Sequence, residues 1–379
     1  MNRISTRPTG VPSREPSRRR RKIMRLVGWV CTLLVLDQLA GSAYAWVEPL
    51  PDVPGRQIDL RPAGYGGSPG PRQRPDEALA SSTAMRPYLW RQAYFAEYTH
   101  VQPHYEPYLT MQLWDLTGRY INVHQGVRRS WDARSTGSAH RPTVWFFGGS
   151  TMFGVGQRDD YTIPSMVARR SAAAGQPIRV VNLGVPAFTN FQEVLTFERR
   201  LALRPAPDAV VFYDGLNDLT VQMLEPSDQP AIYPADLNIP KPELSVDQRW
   251  TRRSLIHRLW GRYSPFASAP AGANPTGRSA AETARTTVDL YQRGLDLAGA
   301  LARSHGTKLI AFWQPARYFD GLTAARLVRT QLPRGVIDLS GSLDGIDRTR
   351  VYLDLAHTNE LGARLVADRM WPAIERQLP

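Results

Sequence analysis

From residue 142 onward, five short apolar runs alternate with segments of helical period, and this alternation limits the fold more than anything else in the chain. The runs are Thr143–Phe147, Ile178–Asn182, Ala209–Tyr213, Lys308–Trp313 and Gly335–Leu339. Between and after them, Tyr161–Ala174, Phe191–Ala202, Ala281–Ser304, Leu322–Leu332 and Asn359–Gln377 read as helices. In the longest of these, Val288, Leu290, Leu295, Leu297 and Leu301 fall near one face. Strands that alternate with helices build a parallel sheet, because each crossover lays a helix on one side of it. The expected fold class is α/β: a three-layer α/β/α sandwich around a central parallel sheet of about five strands, flavodoxin-like in outline.

Ligands bind such sheets at the carboxyl ends of the strands. Three of the runs end in small or polar residues there: FFGGSTMFG around Ser150, NLGVPAFTN around Gly184 and YDGLND around Asn217. A fourth stretch, DLAH, places Asp354 three residues before His357. A serine, a histidine, a carboxylate and candidate oxyanion donors are the parts needed for nucleophilic acyl transfer. Ser150 is the candidate nucleophile. A phosphate loop is the rival reading, but no Gly-Lys-Ser/Thr follows. Of the seven histidines, His357 has an aspartate three residues back, where both side chains can lie on one side of a turn. Asn217-Asp218 also reads as a plain turn, and Asp214 with Asp218 as a carboxylate pair for glycoside hydrolysis, which would leave the strand-end serine unexplained.

The four blocks in this order resemble the SGNH hydrolases, or GDSL-type esterases and lipases, over about residues 140–375. The resemblance implies a catalytic triad of Ser150, His357 and Asp354. It also implies an oxyanion hole from Ser150, Gly184 and Asn217. The first block departs from the family in reading GGST rather than GDSL, as membrane-attached members do. In the second, Ala187 stands where a second glycine is common. The expected activity is hydrolysis of O-acyl esters, on cell-envelope carbohydrate or on lipid, with no cofactor and no metal. An acyltransferase using the same triad, or a non-catalytic envelope assembly or binding protein on a hydrolase scaffold, are the alternatives.

Net charge is +13, yet nine positive residues before residue 26, against Glu15 alone, supply +8 of it. The remaining arginines are scattered and interleave with no aromatic motif, so nucleic acid is not an expected partner. Residues 1–25 read as a basic cytoplasmic tail. Residues 26–46 are an apolar segment, either a signal peptide with Ala43-x-Ala45 as its cleavage site or a membrane anchor interrupted by Asp37. Both readings put the remainder outside the cytoplasm. Cys31, the one cysteine, allows no internal disulfide and is expected to be buried. Residues 47–85 read as a Pro/Gly-rich linker, and 86–141 as an aromatic-rich accessory segment packed on the main domain, with a hairpin in GRYINVHQGVRRSW. Within the hydrolase-like domain, 142–379, an insertion at 219–280 has no clear period and reads as a lid carrying Trp250, Trp260 and Tyr263.

Overall fold

The computed structural model describes residues 22, 25, 28–29, 31–40, 75–133, 141–224, 226–231 and 278–378. The chain divides into two units, one of residues 1–52 with 242–269, the other of 53–241 with 270–379. In the first, every described residue is helical. Trp29, Leu33, Leu34, Val35, Leu36 and Leu39 are exposed on it. Cys31 is exposed as well, contrary to expectation. Among the described residues no helix is long and apolar enough to cross a membrane.

The second unit is built on an eight-stranded sheet. Its parallel part is β6 (Thr143–Gly148), β7 (Arg179–Asn182), β8 (Ala209–Asp214), β9 (Lys308–Trp313) and β10 (Val336–Asp338), in the order β10-β9-β8-β6-β7. These five strands lie within about a residue of their sequence-predicted runs. The chain leaves β6 for β7 on one side and then crosses to β8 on the other. The carboxyl end of β6 is therefore the switch point, where connections diverge and leave a crevice.

Period-2 alternation divides the core between the two faces. Val144, Phe146, Val211 and Tyr213 pack against α4 (Ile163–Ala173) and α9 (Glu360–Glu375). Trp145, Phe147, Val210 and Phe212 pack against α5 (Asn190–Leu203), α6 (Leu216–Leu224), α7 (Ala280–Ser304) and α8 (Thr323–Thr330). Helices thus cover both faces. Capping boxes start α5 (Thr189, Gln192) and α7 (Ser279, Glu282), satisfying backbone donors that each helix start leaves open.

The accessory segment lengthens the sheet. Strands β3 (Leu116–Thr117), β4 (Asn122–His124) and β5 (Val127–Arg128) add antiparallel to β7 through Arg128↔Asn182 and cover an edge that would otherwise be open. Before them, β1 (Pro103–Glu106) and β2 (Thr110–Leu113) form a separate hairpin. Helices α1 (Pro75–Ser81) and α2 (Arg91–Tyr98) complete a third core with Phe153, Val155, Val185, Ala187 and Phe188.

Helix α1 and a following 3-10 turn, Thr83–Met85, correct the reading of 47–85 as linker throughout. Pro75 suits the first helical position, where its missing N–H is no loss. Ala80, Ala84 and Met85 are fully buried. Residues 47–74 lie outside the described residues. So does most of the insertion, including Trp250, Trp260 and Tyr263. The insertion's first residues instead continue α6, whose Leu216, Leu219, Thr220 and Val221 are buried.

Candidate active site

Ser150 opens α3 (Ser150–Phe153), the one-turn helix that follows β6 at the switch point. Two glycines permit this abrupt change from strand to helix. A Cβ on Gly148 would meet Met152 Cβ at 2.6 Å, and one on Gly149 would meet Asn217 Nδ2 at 2.4 Å. The crowding comes from close approach of neighbouring groups, because the Gly149 φ of −77° is open to any residue.

His357 arrives from a loop that the backbone closes on itself. Leu353 N donates to His357 O at 2.8 Å, and Asn359 N donates to Val351 O at 2.9 Å. Asn359 then caps α9, accepting from Gly362 N at 3.0 Å. Inside the loop, Asp354 Oδ1 accepts from Ala356 N and His357 N, each at 2.7 Å. Its Oδ2 lies 2.7 Å from His357 Nδ1, and His357 Nε2 lies 2.8 Å from Ser150 Oγ. Burial alone would raise the Asp354 carboxyl, but the charge of His357 and these three hydrogen bonds outweigh it and hold the group below its ordinary value. A carboxylate on Nδ1 fixes that nitrogen as the donor. It leaves Nε2 to accept the serine proton. Ser150 and His357 are only 5 % and 4 % exposed, so the pair acts in a region with little water to screen it.

The oxyanion donors fall differently from expectation. Asn217, in the first turn of α6, is half-buried, and its Nδ2 donates one hydrogen to Phe188 O at 2.7 Å, leaving the second available. The Ser150 N–H, at the head of α3, has no partner among the described residues. Gly184 is a correction: its N–H donates to Asn182 Oδ1 at 3.0 Å and is not free. The glycine is needed for space, since a Cβ there would lie 2.3 Å from Phe153 N and 2.7 Å from Met152 C. Asn182 also donates to Met152 O at 3.1 Å, so this residue fastens β7 to the serine helix.

The turn three residues on carries the free donor. Ala187 is buried at φ +67°, a left-handed conformation that costs an L-residue about 1–2 kcal/mol. Its N–H has no partner among the described residues. The next carbonyl, Phe188 O, accepts from Asn217 and lies 3.5 Å from where a Gly149 Cβ would stand, which brings this turn beside Gly149 and Asn217. In the sequence, the one signal was Ala187 at a position where a glycine is common.

Two further groups stand beside these residues. Thr151 Oγ1 donates to Gln314 Oε1 at 2.6 Å, joining the serine helix to the end of β9. Behind Asn217, Asp214 and Asp218 share Asn190: its Nδ2 donates to Asp214 Oδ2 at 2.9 Å and its N–H to Asp218 Oδ1 at 3.0 Å. Asp214 is pushed up to about 7 by burial and by the charge of Asp218, and Asp218 to about 6 by burial. Being buried at 4 % exposure and bonded to Asn190, Asp214 is not offered to a substrate, which removes the glycoside-hydrolysis reading of this pair. Among the described residues, no group of three or more His, Cys, Asp or Glu is placed to hold a metal ion.

No protein-family model and no curated protein matches the chain. Solved structures resembling it include a lipase/acylhydrolase from Enterococcus faecalis, 18% identical, covering 63% of this chain and 98% of that one with a TM-score of 0.38. A lipolytic protein of the G-D-S-L family from Veillonella parvula is 16% identical over 62% of this chain and 98% of its own, with a TM-score of 0.38. An acetyl xylan esterase is 16% identical over 61% of this chain and 99% of its own, with a TM-score of 0.35. Similarity this distant leaves the chemistry to be read from Ser150, His357 and Asp354.

Proposed function

We propose that this protein is a serine ester hydrolase of the SGNH type, acting outside the cytoplasm on O-acyl esters of cell-envelope carbohydrate or lipid. The observation that carries the reading is the unbroken chain from Asp354 Oδ2 through His357 to Ser150 Oγ, with contacts of 2.7 and 2.8 Å. Ser150 Oγ attacks the ester carbonyl while His357 Nε2 takes its proton. Negative charge collects on the former carbonyl oxygen, towards the Ser150 N–H, the spare Asn217 N–H and the Ala187 N–H. His357 then protonates the leaving alcohol. Water, deprotonated by His357, attacks the acyl-serine, and collapse returns Ser150 with release of the carboxylic acid. Asp354 supports the imidazolium at each stage and keeps its own proton state.

Location outside the cytoplasm rests on the arginine-rich residues before 26 and on the exposed Trp29, Leu33, Leu36 and Leu39 of the helical segment that follows. Hydrolysis of p-nitrophenyl acetate and of longer-chain p-nitrophenyl esters, by the full chain and by Ser150→Ala, tests the activity. Loss in the variant supports the reading, and equal rates in both proteins sink it. The chain-length profile separates small acyl groups from lipid esters.

A further inference from the structure

A cavity of about 680 Å³ lies between the β1–β2 hairpin and the second half of α5. Helix α5 starts beside the Asp214 and Asp218 cluster and runs about 20 Å, so its C-terminal half is remote from the start where Asn190 contacts that cluster. Two features of the wall stand out, one electrostatic and one aromatic.

Arg199, Arg200 and Arg204 all line the cavity. Arg199 is paired with Glu106. The other nearby acid, Asp115, is 2.7 Å from His124 Nδ1 and also accepts from Gln125 N at 2.7 Å. Arg204 donates to the neutral Gln125 Oε1 at 2.9 Å. The Arg200 side chain has no hydrogen bond or ion pair among the described residues, and its Nε is buried without a partner. Its guanidinium lies over the Trp145 ring, 5.5 Å from the centroid, which fixes where the head points. Burial, and then the charge of Arg204, depress the Arg200 pKa, so the two cations feel one another with no acid between them. A half-buried guanidinium left in this state presents the planar fork that a carboxylate fits.

The aromatic feature is Trp114, 60% exposed at the same cavity, with the His104 ring packed against it at 4.1 Å between centroids. An exposed indole backed by a second ring is a flat, rigid platform. A sugar ring has an apolar face of C–H groups that suits such a platform, and hydroxyls at its edge that suit the Gln112 and Gln125 amides also lining the cavity.

We propose that this cavity binds an acidic oligosaccharide, with a sugar carboxylate held by Arg200 and Arg204 and an adjoining ring on Trp114. The assignment stands on this wall alone and does not depend on the esterase reading. The test is isothermal titration of the full chain, in a mild detergent, with a short oligogalacturonate, with its fully methyl-esterified form and with inorganic phosphate. The acidic oligosaccharide is expected to bind, and more weakly as salt is raised. Arg200→Gln and Trp114→Ala are each expected to weaken it about tenfold or more. Arg200→Lys retains the charge without the fork and is expected to fall between the parent and Arg200→Gln. Ser150→Ala binds as the parent does, so failure of this site and failure of the esterase reading give different results. Equal binding of the methyl ester would overturn the proposal, as would phosphate binding as tightly as the oligosaccharide. Parental affinity in Trp114→Ala, whose exposed side chain leaves the core untouched, would overturn it too.

Discussion

Arg128 Nη1 donates to the Phe153 carbonyl at 2.6 Å, tying a strand of the accessory segment to the last residue of the helix that Ser150 opens. The same nitrogen reaches Gly154 O at 2.7 Å, Nη2 donates to Gln157 O, and Nε lies 3.2 Å from Asp159 Oδ1. A cation there meets carbonyls that the end of a helix leaves unpaired. Tyr94 adds a second tie, donating to Gly154 O at 3.1 Å and accepting from Gly156 N at 3.0 Å. The accessory segment therefore holds the far end of the serine helix in place.

Arg128→Ala should destabilise the fold by roughly 3–5 kcal/mol, because it leaves the buried Asp159 without its cation and the Phe153 and Gln157 carbonyls without their donor. Arg128→Lys should recover little, since the three donors of an ammonium sit on one nitrogen and cannot span the four acceptors that the guanidinium reaches. Urea denaturation of the three proteins measures this. A loss below about 1 kcal/mol in Arg128→Ala would show that the tie is dispensable.

Gly184→Ala should lose both activity and stability. Its new Cβ would meet backbone atoms of Phe153 and Met152, which cannot rotate away as a side chain end would, so α3 and Ser150 must shift. Ala187→Gly should behave oppositely. It relieves about 1–2 kcal/mol of left-handed strain, against about 0.4–1 kcal/mol of added freedom in the unfolded chain. Unchanged or slightly higher stability with retained kcat is expected, while Ala187→Val, β-branched at positive φ, should be impaired. Thermal melts and ester turnover of the three variants decide. An active Gly184→Ala enzyme would contradict the close packing.

Legibility followed the range of the interactions. The parallel strands were plain because each is a dense apolar run, and Asp354 with His357 because the pair is local, three residues apart. Ser150 stood out through glycines that its strand-to-helix turn needs for space. Arg128 and Asn182 could not be seen, because their partners are backbone carbonyls 25 and 30 residues away, and carbonyls have no sequence signature. Gly184 is a donor only as the family resemblance implies, from the glycine of the second block. The structure uses it for clearance and gives the positive φ to Ala187, a residue that type alone would not select. Helix α6 was hidden because its apolar residues are buried by α7, whose match lies beyond the insertion.

Asn217→Ala should lower kcat about 10²–10³-fold with little change in KM, as expected for a donor that acts on charge developing in the transition state. Asp354→Asn should lower kcat by about 10⁴-fold, because an amide facing Nδ1 favours the tautomer that cannot accept the Ser150 proton. Steady-state kinetics on a p-nitrophenyl ester separate the two effects. An Asn217→Ala defect confined to KM would place that amide in ground-state binding instead.

The buried acids behind Asn217 should make the fold less stable as pH rises. Unfolded aspartates lose their protons near pH 4. In the folded chain Asp218 holds its proton to about 6 and Asp214 to about 7, and burial and the charge of Asp214 raise Glu193 as well. Between pH ~4 and ~7 the folded state thus binds protons that the unfolded state has released, and raising pH favours unfolding. The stabilisation is complete below about pH 4 and is lost as pH passes through the folded values. Asp214→Asn keeps the shape and an acceptor for Asn190 but removes one titrating group. The stability difference between variant and parent, from urea melts at about pH 5 and about pH 8, should therefore move in the variant's favour at the higher pH. A difference independent of pH would mean that Asp214 titrates normally in the folded chain.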